Sequence, residues 1–425
     1  MHAPTYYAAT RREPDDHPAL SGQHRARVAV VGGGYAGLAT ALGLAERGIT
    51  DVVVLEAQSI GFGASGRNGG FVFGGYSLGE AALQQQVGSD TARWMYELTR
   101  SAVGTIRQRI DHYAIDCDRV DAGVIWANWF DDPKVLESRR QMLAEQFGTD
   151  WTSISKEALR QQLLSSRYHG GLFEADAFHV HPLNLALGLA RAAQSLGVRI
   201  HGASAVSSVD NRNGRWQLRT AAGEVEADQV VVAGGGYLQG LVPPLQRAVL
   251  PIATYVAVTE PLCARLDQAI RTRAAIYDTR FAFDYYRALP DTRLLWGGRI
   301  SILNRTPEAV ARLLKRDIAR VYPQLGEVRV DYAWSGLMSY ARHEMPQLGQ
   351  LQHGLWYAQA FGGHGVATTT AIGELLAAGI AGDDSWRRFA PFGLTRTWRP
   401  FGFVGAQATY SWLQARDAWK ERTSL

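Results

Sequence analysis

Gly32, Gly34 and Gly37 stand in the spacing G-x-G-x-x-G directly behind the apolar run Val28-Ala-Val-Val31. Each glycine has a physical task beside a pyrophosphate: a tight turn, close backbone approach, and close packing of helix on strand. The N–H groups and dipole at the helix start then hold the phosphates. Glu56, nineteen residues beyond Gly37, is placed to accept hydrogen bonds from ribose hydroxyls. A glycine triplet alone is often an ordinary turn; the strand–turn–helix–strand setting is what makes this one a dinucleotide site. A second run, Ile60-Gly-Phe-Gly-Ala-Ser-Gly-Arg-Asn-Gly-Gly70, can wrap backbone around a large planar cofactor, with Ser65, Arg67 and Asn68 as polar contacts. That second loop separates FAD from NAD.

The elements that position these groups follow from pattern. Val28-Ala-Val-Val31, a small-residue helix over 36–47 and the strand 51–56 make a βαβ unit. Helices are expected over 79–115, 133–165, 182–195 and 307–321, and strands over 123–127, 199–209, 229–233, 248–258, 328–339 and 355–359. Residues 281–288 and 293–298, split by Pro290-Asp291, read as a hairpin. Gly362-Gly-His-Gly365 opens a last helix reaching residue 380. In the strand around 285, alternation sends Tyr285 and Arg287 to one face and Tyr286 to the other.

Composition excludes several classes. Apolar residues make up 46% and charged residues 20% of 425 positions, which fits a folded chain of more than one domain. The net charge of +4 is small and its basic residues are scattered, so nucleic acid is not an expected partner. Cys117 and Cys263 lie outside any metal-ligand spacing, so no metal and no disulfide scaffold is expected. Arg11, Arg12 and acidic residues precede any apolar run, and no stretch is long enough to span a membrane. A cytoplasmic protein is the expectation. Residues 401–420 carry aromatics at helical spacing; docking onto the protein's own surface is expected, with peripheral membrane or electron-acceptor contact as the alternative.

The motifs Val-Val-Gly-Gly-Gly-Tyr-x-Gly-Leu, Val-Val-Leu-Glu-Ala and Gly-Ala-Ser-Gly-Arg-Asn-Gly-Gly resemble those of D-amino-acid-oxidase-type (DAO family) FAD oxidoreductases. Within that family the chain looks nearest to bacterial γ-glutamylputrescine oxidoreductases, and it is similar also to L-pipecolate oxidase-like enzymes. Tyr6-Tyr-Ala-Ala9, Ile115-Asp-Cys-Asp118, His181-Pro-Leu-Asn-Leu185, Asp284-Tyr-Tyr-Arg287, Met345-Pro-Gln347 and Gly363-His-Gly-Val366 carry the likeness along the chain. It implies an α/β fold: a Rossmann-like FAD-binding domain with a parallel sheet, discontinuous in sequence, plus a mostly antiparallel α+β substrate domain. The expected division is an arm over 1–26, an FAD-binding domain over 27–80, 170–245 and 343–390, a substrate domain over 81–169 and 246–342, and an extension over 391–425.

The resemblance also implies FAD contacts at Gly32, Gly34, Gly37, Glu56, Ala64, Ser65, Arg67, Asn68, Gly69, Gly70, Val206, Gly234, Gly363, His364, Gly365 and Val366. The implied reaction is FAD-dependent oxidation of a carbon–nitrogen bond, amine to imine and then hydrolysis, with dioxygen or another electron acceptor. Tyr285 would orient the amine and Arg287 grip a carboxylate, although a Tyr–Arg pair holding the sheet is an equal reading. The helix start at Gly363 would favour anionic reduced flavin, with His364 adding charge or only shaping the turn. Phe71, Tyr76, Met338, Tyr340 and Arg342 are candidate pocket residues.

Departures narrow the substrate. Met338 stands where glycine oxidases carry a carboxylate-binding arginine, Ala367 where monomeric sarcosine oxidases carry an oxygen-activating lysine, and Leu337 where they carry a flavin-linking cysteine. Noncovalent FAD and a γ-glutamylputrescine-like substrate in polyamine catabolism are expected. A cyclic or secondary amino acid such as L-pipecolate is the alternative, and an NAD-dependent dehydrogenase or a non-catalytic FAD-binding sensor the remote ones.

Overall fold

The computed structural model describes residues 2–423; Met1, Ser424 and Leu425, at the ends of the expected arm and extension, lie outside the described residues. Two large sheets organise the chain. The first runs in the order Gln347–Gln352, Leu355–Gln359, Gly223–Val232, Gly22–Val31, Val52–Leu55 and Arg199–His201. All its neighbours on this path are parallel except the outermost pair. Its central strands are apolar at successive positions because both faces are covered, one by helices and the other by Trp216 and Leu218 of the strand Arg215–Arg219; Val28, Ala29 and Val30 have no exposed surface.

The helices Tyr35–Glu46 and Gly365–Ile380 pack on this sheet and against each other. Glycine permits the contact, since a Cβ on Gly373 would lie 2.6 Å from the Cβ of Ala39. Their N-termini open on one cavity. The second sheet runs Val330–Tyr340, Leu250–Thr259, Leu294–Ser301, Tyr285–Ala288, Ala275–Asp278, Val124–Ala127, Gly171–Glu174 and Thr152–Ile154. It is antiparallel apart from the pairing of Ala275–Asp278 with Val124–Ala127.

The expected elements at Pro182–Ser195, Pro307–Val321 and Leu355–Gln359 fall on their observed bounds. Proline at the first helical turn marks both helices, and Thr306 caps the second by accepting from Ala309 N–H. Others are corrected. The helix expected over 79–115 is two, Glu80–Val87 and Ser89–His112, because Gly88 takes φ 79°. The helix over 133–165 is Lys134–Phe147 and Lys156–Gln162, parted by the strand Thr152–Ile154 after a left-handed Gly148. The strand over 199–209 ends at His201 and a second begins at Ser208. The hairpin forms, but its first strand begins only at Tyr285.

Candidate active site

The glycine turn is built by exclusion. Gly32 adopts φ 114°, and a Cβ on Gly37 would sit 2.0 Å from Gly32 O. No side chain fits there, so the helix starts flush against the strand. The Glu56 carboxylate accepts from Gly33 N–H at 2.7 Å and Gln58 N–H at 2.9 Å. Burial pushes its carboxyl up, partly offset by those amides. Ser65 Oγ accepts from Tyr35 N–H at 2.9 Å and ties the second loop to the helix start. Asn68 serves that loop too: Oδ1 accepts from Gly70 N–H, and Nδ2 donates to Ala64 O and Ser65 O.

From here a cavity of about 1100 Å³ runs between the sheets. Gly32, Gly34, Glu56, Ala64, Ser65, Arg67, Asn68, Gly69 and Gly234 line one part, and Gly363, His364, Gly365 and Val366 another. A dinucleotide fits this wall: glycine backbone at one end, a ribose-accepting carboxylate beside it, and a helix N-terminus at the other. His364 precedes that helix; its Nδ1 is buried without a partner among the described residues. Burial, and secondarily the charge of Arg139, lowers its pKa to about 4. His364 is therefore neutral at neutral pH, and the positive potential there belongs to the helix.

Aromatic rings face the same space. Phe73 stacks on Tyr277 at 5.6 Å, meets His364 edge-on at 5.1 Å, and Phe71 meets Tyr285 at 5.7 Å. The Tyr285 ring occupies a slot between glycines of two elements: a Cβ on Gly69 would lie 2.6 Å from it and one on Gly297 2.0 Å. Phe71, Tyr285, Met338, Tyr340 and Arg342 all line the cavity. Burial raises Tyr340 to about 12, which removes it as a base at neutral pH.

Five expected residues do not line it. Arg287 is only 2% exposed and lies behind the loop. Its Nε donates to Gly69 O at 2.9 Å, its Nη2 to Val180 O at 2.8 Å, and its Nη1 meets His179 Nδ1 at 3.2 Å. With its donors so engaged it staples backbone instead of gripping substrate. Tyr76 is buried, donating to Met95 O at 2.8 Å. Gly70 serves loop geometry, since φ 81° and a Cβ contact of 2.1 Å to Val180 O require glycine. Gly37 serves helix packing, and Val206 packs on the core beside the parallel sheet.

Sequence reasoning missed several wall residues. Arg280, held by Asp278 and Asp284 at 2.6 Å each, borders the expected hairpin without any periodic signal, whereas Phe283 lies within its expected first strand, two residues before Tyr285, where alternation could have found it. Arg396, Thr397, Trp398, Gln407 and Tyr410 come from the C-terminal segment. The helix Phe401–Thr423 docks there through Tyr410, whose OH accepts from Ile300 N–H at 2.8 Å. Asp417 accepts from Phe281 N–H at 2.7 Å, and Glu421 is clamped by Arg167 and Arg320. The aromatic spacing signalled docking, but nothing in it signalled that the segment closes a cavity. No described helix is long and apolar enough to cross a membrane.

Comparison with known proteins agrees with this geometry. The family model "FAD dependent oxidoreductase" (DAO) matches residues 27–378. The chain is 38% identical to γ-glutamylputrescine oxidoreductase of Escherichia coli K12 over 419 residues, covering 96% of this chain and 98% of that one. It is 34% identical to a probable oxidoreductase, OrdL, of Haemophilus influenzae, covering 90% and 89%. Among solved structures, glycine oxidase from Geobacillus kaustophilus aligns with a TM-score of 0.73 over 88% of this chain and 99% of that one, at 21% identity. At that identity the likeness speaks for the fold.

Proposed function

This chain belongs to the DAO family of FAD-dependent oxidoreductases, and on that premise we propose that it oxidises the terminal amine of γ-glutamylputrescine or a closely similar amino compound. The cofactor is FAD. In this reading 27–80, 170–245 and 343–390 form its binding domain and the cofactor is held noncovalently; neither Cys117 nor Cys263 lies on the cavity wall, so no cysteine is placed to link it. Bound on that wall, FAD would supply the two-electron acceptor for the hydride leaving the carbon that bears the nitrogen, and hydrolysis of the imine product would give aldehyde and ammonia.

The chain's own residues supply the setting. Phe71, Phe73, Tyr277 and Phe283 line an apolar enclosure. Such surroundings disfavour an ammonium and favour the neutral amine, the form able to lose hydride. Tyr285, fixed between Gly69 and Gly297, presents its ring to that space. The N-terminus of Gly365–Ile380 provides positive potential where negative charge develops.

The observation that carries the proposal is the single cavity joining the glycine turn to this aromatic enclosure. The end-to-end likeness to a γ-glutamylputrescine oxidoreductase supports the choice of substrate. Dioxygen or another acceptor takes the electrons, and the free cysteines support a cytoplasmic setting. The test is product analysis: turnover should release ammonia and an aldehyde in equal amounts. Consumption of γ-glutamylputrescine without ammonia, or no consumption, contradicts it.

A further inference from the structure

Most charged side chains on the cavity wall are engaged. Glu56 is held by two amides, and Arg67 lies over the Phe62 ring at 4.6 Å. Arg280 pairs with Asp278 and Asp284, and Arg299 with Asp317. Three remain: Arg342, Glu344 and Arg396 line the same cavity, and their side chains form no ion pair or hydrogen bond among the described residues. All three are exposed at its mouth.

Their backbones are fixed. Arg342 and Glu344 follow the strand Val330–Tyr340 on one turn, and Glu344 holds φ 59°, a conformation that side chains other than glycine seldom adopt. Arg396 is flanked by anchors: Thr397 N–H donates to Arg247 O at 2.9 Å and Arg399 Nε to Val249 O at 3.1 Å. Two guanidinium groups and one carboxylate complement a carbon bearing both carboxylate and ammonium. A phosphate would meet Glu344 as a like charge, and a simple diamine would leave both arginines unanswered.

We propose that Arg342, Arg396 and Glu344 form a recognition site for an α-amino-acid head group, held at the cavity mouth while the far end of the substrate is oxidised. The inference rests on the function proposed above and deepens it, since a γ-glutamyl amide has that head. Arg396 lies beyond residue 378, where the match to the family ends. The C-terminal segment thus adds specificity to a common catalytic cavity.

The test uses the FAD-loaded enzyme and γ-glutamylethylamide, which has the head group and lacks the oxidisable amine. Its Kd is measured by calorimetry for the wild type, Arg342→Gln, Arg396→Gln, Glu344→Gln and Arg396→Lys. Each Gln variant should bind at least tenfold more weakly, with Arg396→Lys intermediate. In turnover, KM for γ-glutamylputrescine should rise while kcat holds, and the preference for it over N-acetylputrescine should collapse. Equal Kd values across the set, or no binding by the wild type, would overturn the inference. Weakened binding in the variants of an enzyme that does not oxidise γ-glutamylputrescine would uphold this site and defeat the proposed reaction.

Discussion

Replacing Arg287 with Met separates a staple from a substrate reader. Methionine fills much of the volume but offers no donor to Gly69 O or Val180 O, which Arg287 reaches at 2.9 and 2.8 Å. Hydrogen bonds to charged groups contribute about 1.5–3 kcal/mol each, so losing both costs about 3–6 kcal/mol gross. Removing a buried cation that has no carboxylate partner among the described residues returns part of that, leaving a net loss of about 3 kcal/mol. Because Gly69 belongs to the cofactor wall, the damage should extend to FAD. The assay is thermal unfolding with and without added FAD, together with FAD content after desalting. A lower Tm and leaked cofactor are expected, and substrate KM in the molecules that keep FAD should be near wild type. An Arg287→Met enzyme with normal Tm and full FAD but a much raised KM would refute this reasoning.

Three other outcomes follow from the same geometry. Gly37→Ala would place a Cβ 2.0 Å from Gly32 O. Neither backbone can yield cheaply, so at least about 1–3 kcal/mol of overpacking is expected; the purified variant should be colourless, and a fully yellow one would contradict the turn geometry. Gly297→Ala would displace the Tyr285 ring from its slot, and should lower kcat while FAD content is retained; unchanged kcat would deny Tyr285 a part in the enclosure. Burial, and then the Arg287 charge, lowers His179 to about 3. Between pH ~6.5 and ~3 the unfolded chain therefore binds the extra proton. The stability His179 contributes is present above pH ~6.5 and falls with acidification by up to ~1.4 kcal/mol per pH unit. Unfolding free energy measured from pH 7 to 4 should fall less steeply in His179→Gln; parallel curves would count against it.

What could be read from sequence was local. The glycine turn, the two buried strands and the proline-started helices carry their own determinants, and they appear where expected. Gly88 and Gly148 stood inside long helical patterns and ended them, each taking the positive φ that glycine readily adopts at a helix C-terminus. Alternation correctly gave Tyr285 and Tyr286 opposite surroundings: cavity wall for one, and a stack on Trp296 at 4.2 Å for the other. It could not tell that the loop 69–70 would lie between Arg287 and the cavity. Periodicity assigns a face; only tertiary packing decides what covers it. For the same reason Arg396 and Tyr410 were invisible as wall residues, since no local pattern says which cavity a docked tail will close.

The central claim is tested most directly by anaerobic mixing of the purified yellow protein with candidate amines, following flavin absorbance through a single turnover. γ-Glutamylputrescine should bleach the flavin fully and fast, ahead of L-pipecolate, glycine and sarcosine. Flavin that stays oxidised with γ-glutamylputrescine but bleaches with one of the others would contradict it.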